Sequence, residues 1–156
     1  GDPETRKEMK AKALAKAQQE ADAAMAKNWT ATGGVLTGAA DAGVIGSAKN
    51  YENFELILEW KTEAEAGLGV RSIPQIALGG KNSGALTGNR LHDNTSPKAA
   101  ANSPREWNTM QVKVVSDRVT VLLNGITTAE NVILENACNR EIPAYAQGQL
   151  LSLIHI

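Results

Sequence analysis

The sequence predicts an all-β antiparallel sandwich preceded by an α-helix. Three observations carry that expectation. Apolar residues before Asn28 recur at helical spacing, whereas those after it alternate one by one. The alternating runs are short and are separated by Gly, Asn, Ser and Asp. The pair Asn124-Gly125 stands beside two such runs, where it is a strong hairpin signal. Many short strands with polar turns, led by a single helix, argue for two packed antiparallel sheets.

The helix runs to Asn28. Asp2 can cap it with Pro3 at the first helical position, and Thr5 with Glu8 offers a second capping box. Met9, Ala13, Ala17, Ala21 and Met25 form a thin apolar stripe, and Glu8 with Lys12 is a favourable pair one turn apart. Alanine-rich sequence is intrinsically helical, but so small a stripe does not fold alone. The helix is therefore expected to lie against a larger body, with its basic residues a solvated face.

In "FELILEWK", Phe54, Leu56, Leu58 and Trp60 fall on one face and Glu55, Ile57, Glu59 and Lys61 on the other, as in a half-buried antiparallel strand. Met110, Val112 and Val114 alternate with Gln111 and Lys113; Ser116-Asp117 makes a tight turn; Val119, Val121 and Leu123 alternate with Arg118, Thr120 and Leu122. Val35-Leu36, Val44-Ile45 and the run from Leu68 to Leu78 read as further strands. Gly79 to Arg105, rich in Gly, Asn, Ser, Ala and Pro, reads as a long irregular loop of the kind that is functional or disordered.

Composition narrows the function classes. A chain of 156 residues suits one domain with its own core and is too short for two. With 16 basic and 17 acidic residues, it has no charge imbalance to attract nucleic acid or an anionic membrane. No apolar run approaches the roughly 20 residues of a membrane helix. Cys138 is the single cysteine, so no disulfide forms within the chain, and it reads as a small loop or core residue. There is no phosphate-binding loop, no dinucleotide-binding glycine pattern and no Cys/His metal spacing. Aromatic residues are 4% of the chain, low for a β domain that stacks rings on sugars.

Among individual residues, His92 reads as a surface histidine, and the sequons at Asn28 and Asn94 are short enough to arise by chance. Arg71, in "LGVRSIPQIAL", has two readings: a strand arginine ending in solvent or a carboxylate pair, or a fixed multidentate donor for sugar hydroxyls or a carbonyl. Trp107 is expected to be a buried anchor rather than a sugar platform, with Asn108 bonding local backbone.

Several segments, in order, resemble one family. "KNYENFELILEWK" resembles its y-x-dFeL-x-x-eWk strand and "EAGLGVRSIPQI" its dSGiylRgtPQv segment. "SPREWNTMQVKVVSDRVTVLLNG" is similar to its eWNt…lNG block, "VILEN" matches the strand that follows, and "LAKAQQEADAAMAKNW" looks like a helical insertion found in one branch. The family is the 3-keto-disaccharide hydrolase domain, with a concanavalin-like jelly-roll fold. The resemblance implies a jelly roll over residues 29–150, a helical insertion over 1–28, and a secreted or periplasmic bacterial protein acting on glycosides or oligosaccharides oxidised at C3. A C3 ketone acidifies the C2 proton, so a base can expel the C1 substituent, and hydration of the enone completes a net hydrolysis. Such a site needs a general base and, on the enolate oxygen, a hydrogen-bond donor or a cation, a role a divalent metal can fill. The resemblance makes Arg71 the candidate oxyanion contact, with Glu106 or His92 as candidate base, and Gln75, Asn89 and Lys98 as substrate contacts. Gly69 stands where the family has tyrosine, and Ala77, Gly79 and Gly80 stand where it has glutamine, an aromatic and aspartate. A non-catalytic carbohydrate-binding module of a larger secreted protein is the alternative expectation.

The last residues, "LSLIHI", are expected to be a non-native tail over 151–156. They can be laid on a family strand G-x-I-x-L-Q-x-H-G, with His155 on its histidine and Leu153 and Ile156 replacing glutamine and glycine. They are also the translation of CTG-TCT-CTT-ATA-CAC-ATC, which resembles a transposon end used to tag sequencing libraries, so His155 is not counted as a site residue.

Overall fold

The computed structural model describes residues 3–39, 42–73, 75–89 and 100–154. Helices α1 (Pro3–Glu8) and α2 (Ala11–Asn28) precede a hairpin of β1 (Trp29–Thr32) and β2 (Val35–Gly38). Then come β3 (Val44–Gly46), β4 (Phe54–Trp60), β5 (Ala66–Gly69), β6 (Gln75–Leu78), β7 (Leu86–Thr87), β8 (Asn108–Val115), β9 (Arg118–Leu123), β10 (Ile126–Ile133) and β11 (Leu151–Ile154).

These strands form two antiparallel sheets in the orders β10-β9-β8-β4 and β3-β11-β5-β6-β7. Alternation builds the core as the sequence indicates. Met110, Val112 and Val114 of β8 and Val119, Val121 and Leu123 of β9 are fully buried, while Gln111 and Lys113 face out. They meet Leu68, Val70, Ile76, Leu78 and Leu86 from the other sheet in one continuous cluster, so two half-apolar sheets bury each other. The concanavalin-like jelly-roll sandwich is thus the architecture of the chain. β10 is bulged between Thr127 and Ala129 and between Ala129 and Val132, with Asn131 at a φ of 50°.

Register defines two ends. Phe54, Val114, Val119 and Val132 share one row, and Trp60 with Asn108 lies six residues away. In the second sheet Leu151, Gly69, Gln75 and Thr87 share a row. The Phe54 and Gly69 ends coincide, because Tyr51 and Gly148 exchange backbone hydrogen bonds there and Asn89 of one sheet's margin bonds Ile133 of the other.

Four expectations change. The leading helix is broken at Met9–Lys10, and no residue of α2 is buried: it touches β1 and extends away from the sandwich instead of lying on it. Its thin stripe has too little apolar area to repay docking. The run from Leu68 to Leu78 is two strands, interrupted by a turn at Val70–Ile73 in which Arg71 and Ser72 have φ of 49° and 75°. Trp107 is 45% exposed with the Lys61 ammonium 4.9 Å from its ring centroid, and the buried tryptophan is Trp60. The stretch from Gly79 to Arg105 contains β7. Leu151–Ile154, within the segment expected to be a non-native tail, pairs with β3 on one side and β5 on the other, a placement that does not bear on the origin of those residues.

Candidate functional site

Arg71 organises the Gly69 end. β5 stops at Gly69, and the left-handed turn that follows aims the Arg71 side chain into the protein, where the residue is 3% exposed. Its Nε donates to the Glu52 carbonyl at 2.8 Å, one terminal nitrogen donates to the same carbonyl, and the other donates to the Tyr145 carbonyl at 3.3 Å. Burial lowers the guanidinium pKa, and the Glu52 and Asp117 carboxylates oppose that drop. The backbone of Arg71 is clasped as well. Ser72 N–H donates to the Gln149 carbonyl, and Gln149 N–H donates to Ser72 Oγ. A Cβ on Gly148 would come within 2.4 Å of the Arg71 carbonyl carbon, so no side chain fits there. Arg71 is therefore a tie between β4's approach and the loop 134–148, rather than a side chain held out toward a ligand.

Asn89 plays a similar part. It is 1% exposed, and its Nδ2 donates to the Ile133 carbonyl at 2.6 Å, joining the segment after β7 to the end of β10. Gln75 begins β6, opposite Gly69 and Thr87 in the same register row. Lys98 and His92 lie outside the described residues. Glu106 is elsewhere: it is exposed, its Oε2 accepts from Ser103 N–H, and it precedes Asn108 at the Trp60 end of β4. The six steps from Phe54 to Trp60 span about 20 Å of strand. The structure thus gathers Arg71, Asn89 and the Gln75 backbone at one end and leaves Glu106 at the other, and Arg71 and Glu106 do not form one catalytic pair.

What the Gly69 end does hold is a cavity that the sequence reading missed. The loop after β10 folds back on itself through a bridge between Glu135 and Pro143 and frames a half-open depression of about 290 Å³, lined by residues 134–136 and 140–144. Arg140 lines it, with one nitrogen donating to the Gly88 carbonyl at 3.0 Å and another 3.7 Å from Glu135 Oε1. The Glu135 side chain is 19% exposed. The depression thus sets a half-buried carboxylate beside a guanidinium on one concave surface. The signal available in the sequence was the run "ENACNREIP", which concentrates two carboxylates, an arginine and two asparagines after the last alternating strand. Among the described residues no three His, Cys, Asp or Glu side chains converge to hold a metal ion; the cations at this end are guanidiniums.

The register also locates the departures from the family pattern. Gly69 pairs with Gln75, Gly67 with Ala77, and Leu151 and Leu153 of β11 pair with Gly69 and Gly67. Positions 67, 69, 77 and 151 therefore share the outer face of one sheet, where a Cβ added at Gly46 or Gly69 would meet the Leu151 side chain at 3.0 Å. The small replacements at Gly69 and Ala77 strip one continuous surface.

The family model of the 3-keto-alpha-glucoside-1,2-lyase-like domain matches residues 12–151. None of the curated proteins is significantly similar to the chain. Among solved structures, three from Parabacteroides distasonis ATCC 8503, each described as a "putative glycosyl hydrolase", share the fold. The first has a TM-score of 0.64 at 14% identity, covering 81% of this chain and 67% of its own. The second has 0.62 at 22% identity over 81% and 82%, and the third 0.58 at 20% over 81% and 76%. Among the described residues no helix is long and apolar enough to cross a membrane. A match spanning nearly the whole sandwich, on strands that the register has already placed, makes this chain a member of the 3-keto-alpha-glucoside-1,2-lyase-like domain family, a carbohydrate-related family of hydrolases and lyases.

Proposed function

We propose that the protein cleaves 3-keto-glycosides by elimination followed by hydration, in the half-open depression lined by residues 134–136 and 140–144. The observation that carries this reading is the half-buried Glu135 carboxylate facing Arg140 in a concave site at the Arg71 end of a family member. In the first step Glu135 removes the C2 proton, the C2 electron pair forms the C1=C2 bond, and the C1–O bond breaks. The departing alkoxide takes a proton. In the second step water adds to C1, C2 recovers a proton and the C3 ketone is restored, so the sum is hydrolysis without net oxidation. Arg140 supplies positive charge near the enolate that forms on the C3 oxygen. Arg71 is a positioning residue, holding Tyr145 and with it the loop.

The test is incubation with a 3-keto-α-glucoside disaccharide, following release of the second sugar. Cleavage by the wild-type protein and a loss of at least 100-fold in Glu135→Gln, with binding retained, is the expected result for a general base. Full activity in Glu135→Gln removes that residue from the mechanism. A second reading is favoured by the stripped outer face of the β11-β5-β6 sheet: a module that binds the sugar without cleaving it. Saturable binding with no product at any enzyme concentration selects that reading.

A further inference from the structure

The outer face of the β10-β9-β8-β4 sheet takes no part in the site described above, and the exposed tryptophan of the chain stands at its end. In the register of β4 against β8, Glu55 faces Lys113, Ile57 faces Gln111 and Glu59 faces Thr109, all six exposed. The ladder continues past the strand ends in the same step. Lys61 meets Trp107, its ammonium 4.9 Å from the ring centroid, and Glu63 meets Arg105 through contacts of 2.8 and 2.9 Å. The intervening Trp60–Asn108 pair is buried, so alternation puts Lys61 and Trp107 on the solvent side. Trp107 is anchored there. Its neighbour Asn108 is buried, and its own carbonyl accepts from Asn102 Nδ2 at 2.8 Å. With Lys61 in place, 45% of the tryptophan still lies open to solvent. The neighbours define what covers it. Glu55, Glu59 and Glu63 balance Lys61, Arg105 and Lys113, so the ladder has no net charge to attract a polyanion or an anionic bilayer. Charges at every second position also make it a poor protein interface, since interface cores are depleted of Lys and Glu. The ligand that fits is uncharged, rich in hydroxyls and apolar on one face.

We infer that this face is a glycan-binding surface, separate from the depression at the other end, on which Trp107 stacks one ring of a β-linked glucan chain. In β-linked glucose every ring substituent is equatorial. Each face of the ring then presents only C–H groups, which stack on an indole, while the rim carries hydroxyls. The ladder offers both kinds of partner for that rim: acceptors on Glu59 and Glu63, donors on Lys61 and Arg105, and either on Gln111 and Thr109. Lys61 does not close the ring off, because its ammonium rides on a flexible stem and serves as a hydroxyl donor at the ring edge. Ile57, 61% exposed, supplies a second apolar contact about 14 Å along the ladder from Lys61, a distance that spans more than one sugar. A β-1,4 chain is flat and extended enough to follow these rungs, whereas an α-1,4 chain coils away from them. The surface holds a chain by stacking and hydrogen bonds alone, so it does not depend on the lyase reading.

The probe is cellohexaose, titrated into ¹⁵N-labelled protein with maltohexaose as the α-linked control. Each of the three tryptophans gives one indole N–H signal. The Trp107 signal is expected to shift to saturation with cellohexaose while that of the buried Trp60 stays in place. Trp107→Ala should bind cellohexaose roughly tenfold more weakly, the worth of one stacked ring. If Trp107→Ala does not fold, the wild-type titration decides alone. No binding at millimolar cellohexaose, a Trp107 signal that does not move, unchanged affinity in folded Trp107→Ala, or maltohexaose bound as tightly overturns the inference. Self-association that Trp107→Ala abolishes, without cellohexaose binding, also overturns it and gives the face to a second copy of the chain. The two functions fail separately. Trp107-dependent binding of cellohexaose by a protein that does not cleave a 3-keto-α-glucoside disaccharide keeps this surface and rejects the lyase, and cleavage without cellohexaose binding does the reverse.

Discussion

The asparagines of the "WN" and "NG" segments show what single residues contribute. Asn108 Oδ1 accepts from Asn102 N–H at 2.7 Å and from Asn124 Nδ2 at 2.9 Å, and Asn124 Nδ2 also donates to the Ala100 carbonyl. Asn124 Oδ1 in turn accepts from Thr109 N–H at the mouth of the β9–β10 hairpin. Local backbone bonding by Asn108 was legible; its bond to Asn124 was not, because only the fold brings the two together. Arg71 is a similar case. Its residue type announced a multidentate donor, but the acceptors are the Glu52 and Tyr145 carbonyls, which sequence cannot reveal. Arg71→Met should leave those carbonyls buried without donors and lower stability by about 2–4 kcal/mol, measured by urea denaturation. A change below about 0.5 kcal/mol would show that the tie is dispensable.

Elements with one buried face were read well. β4, β8 and β9 follow the alternation of their sequence, since a one-residue slip would expose Met110, Val112 and Val114 together. Elements whose pattern does not depend on a single partner were read poorly. The leading helix has a stripe but no surface to lay it on, and 18 residues of α2 stand free beside the β1–β2 hairpin. An isolated helix of that length is marginal in water. Its circular dichroism signal is therefore expected to fade gradually on heating, below the cooperative transition of the sandwich. Removal of residues 1–26 should leave that transition within about 2 °C of its original midpoint. A joint transition, or a larger drop, would mean that α2 packs on the sandwich after all. The segment at Leu151–Ile154 shows how far local pattern reaches: its apolar run lies between two strands, where a Cβ on Gly46 or Gly69 would have met the Leu151 side chain.

At the scale of the whole molecule, the sandwich brings the ends of two sheets together, and the loop after β10 frames a half-open depression at that end. The fold class, most strand positions and the family were legible, because burial alternation and the hairpin signals are local in sequence. The site was legible only in part. Arg71 and Asn89 lie at the end proposed as the site, Glu106 lies a strand's length away, and Glu135 and Arg140 were passed over because their placement depends on a loop folding back. The central claim is that this end performs elimination through the C2 proton, and it has a direct isotopic signature. Cleavage of a 3-keto-α-glucoside disaccharide in deuterium oxide, sampled in the first turnovers, should place one deuterium at C2 of the released 3-keto sugar. Cleavage without deuterium at C2, or no cleavage at all, would contradict it.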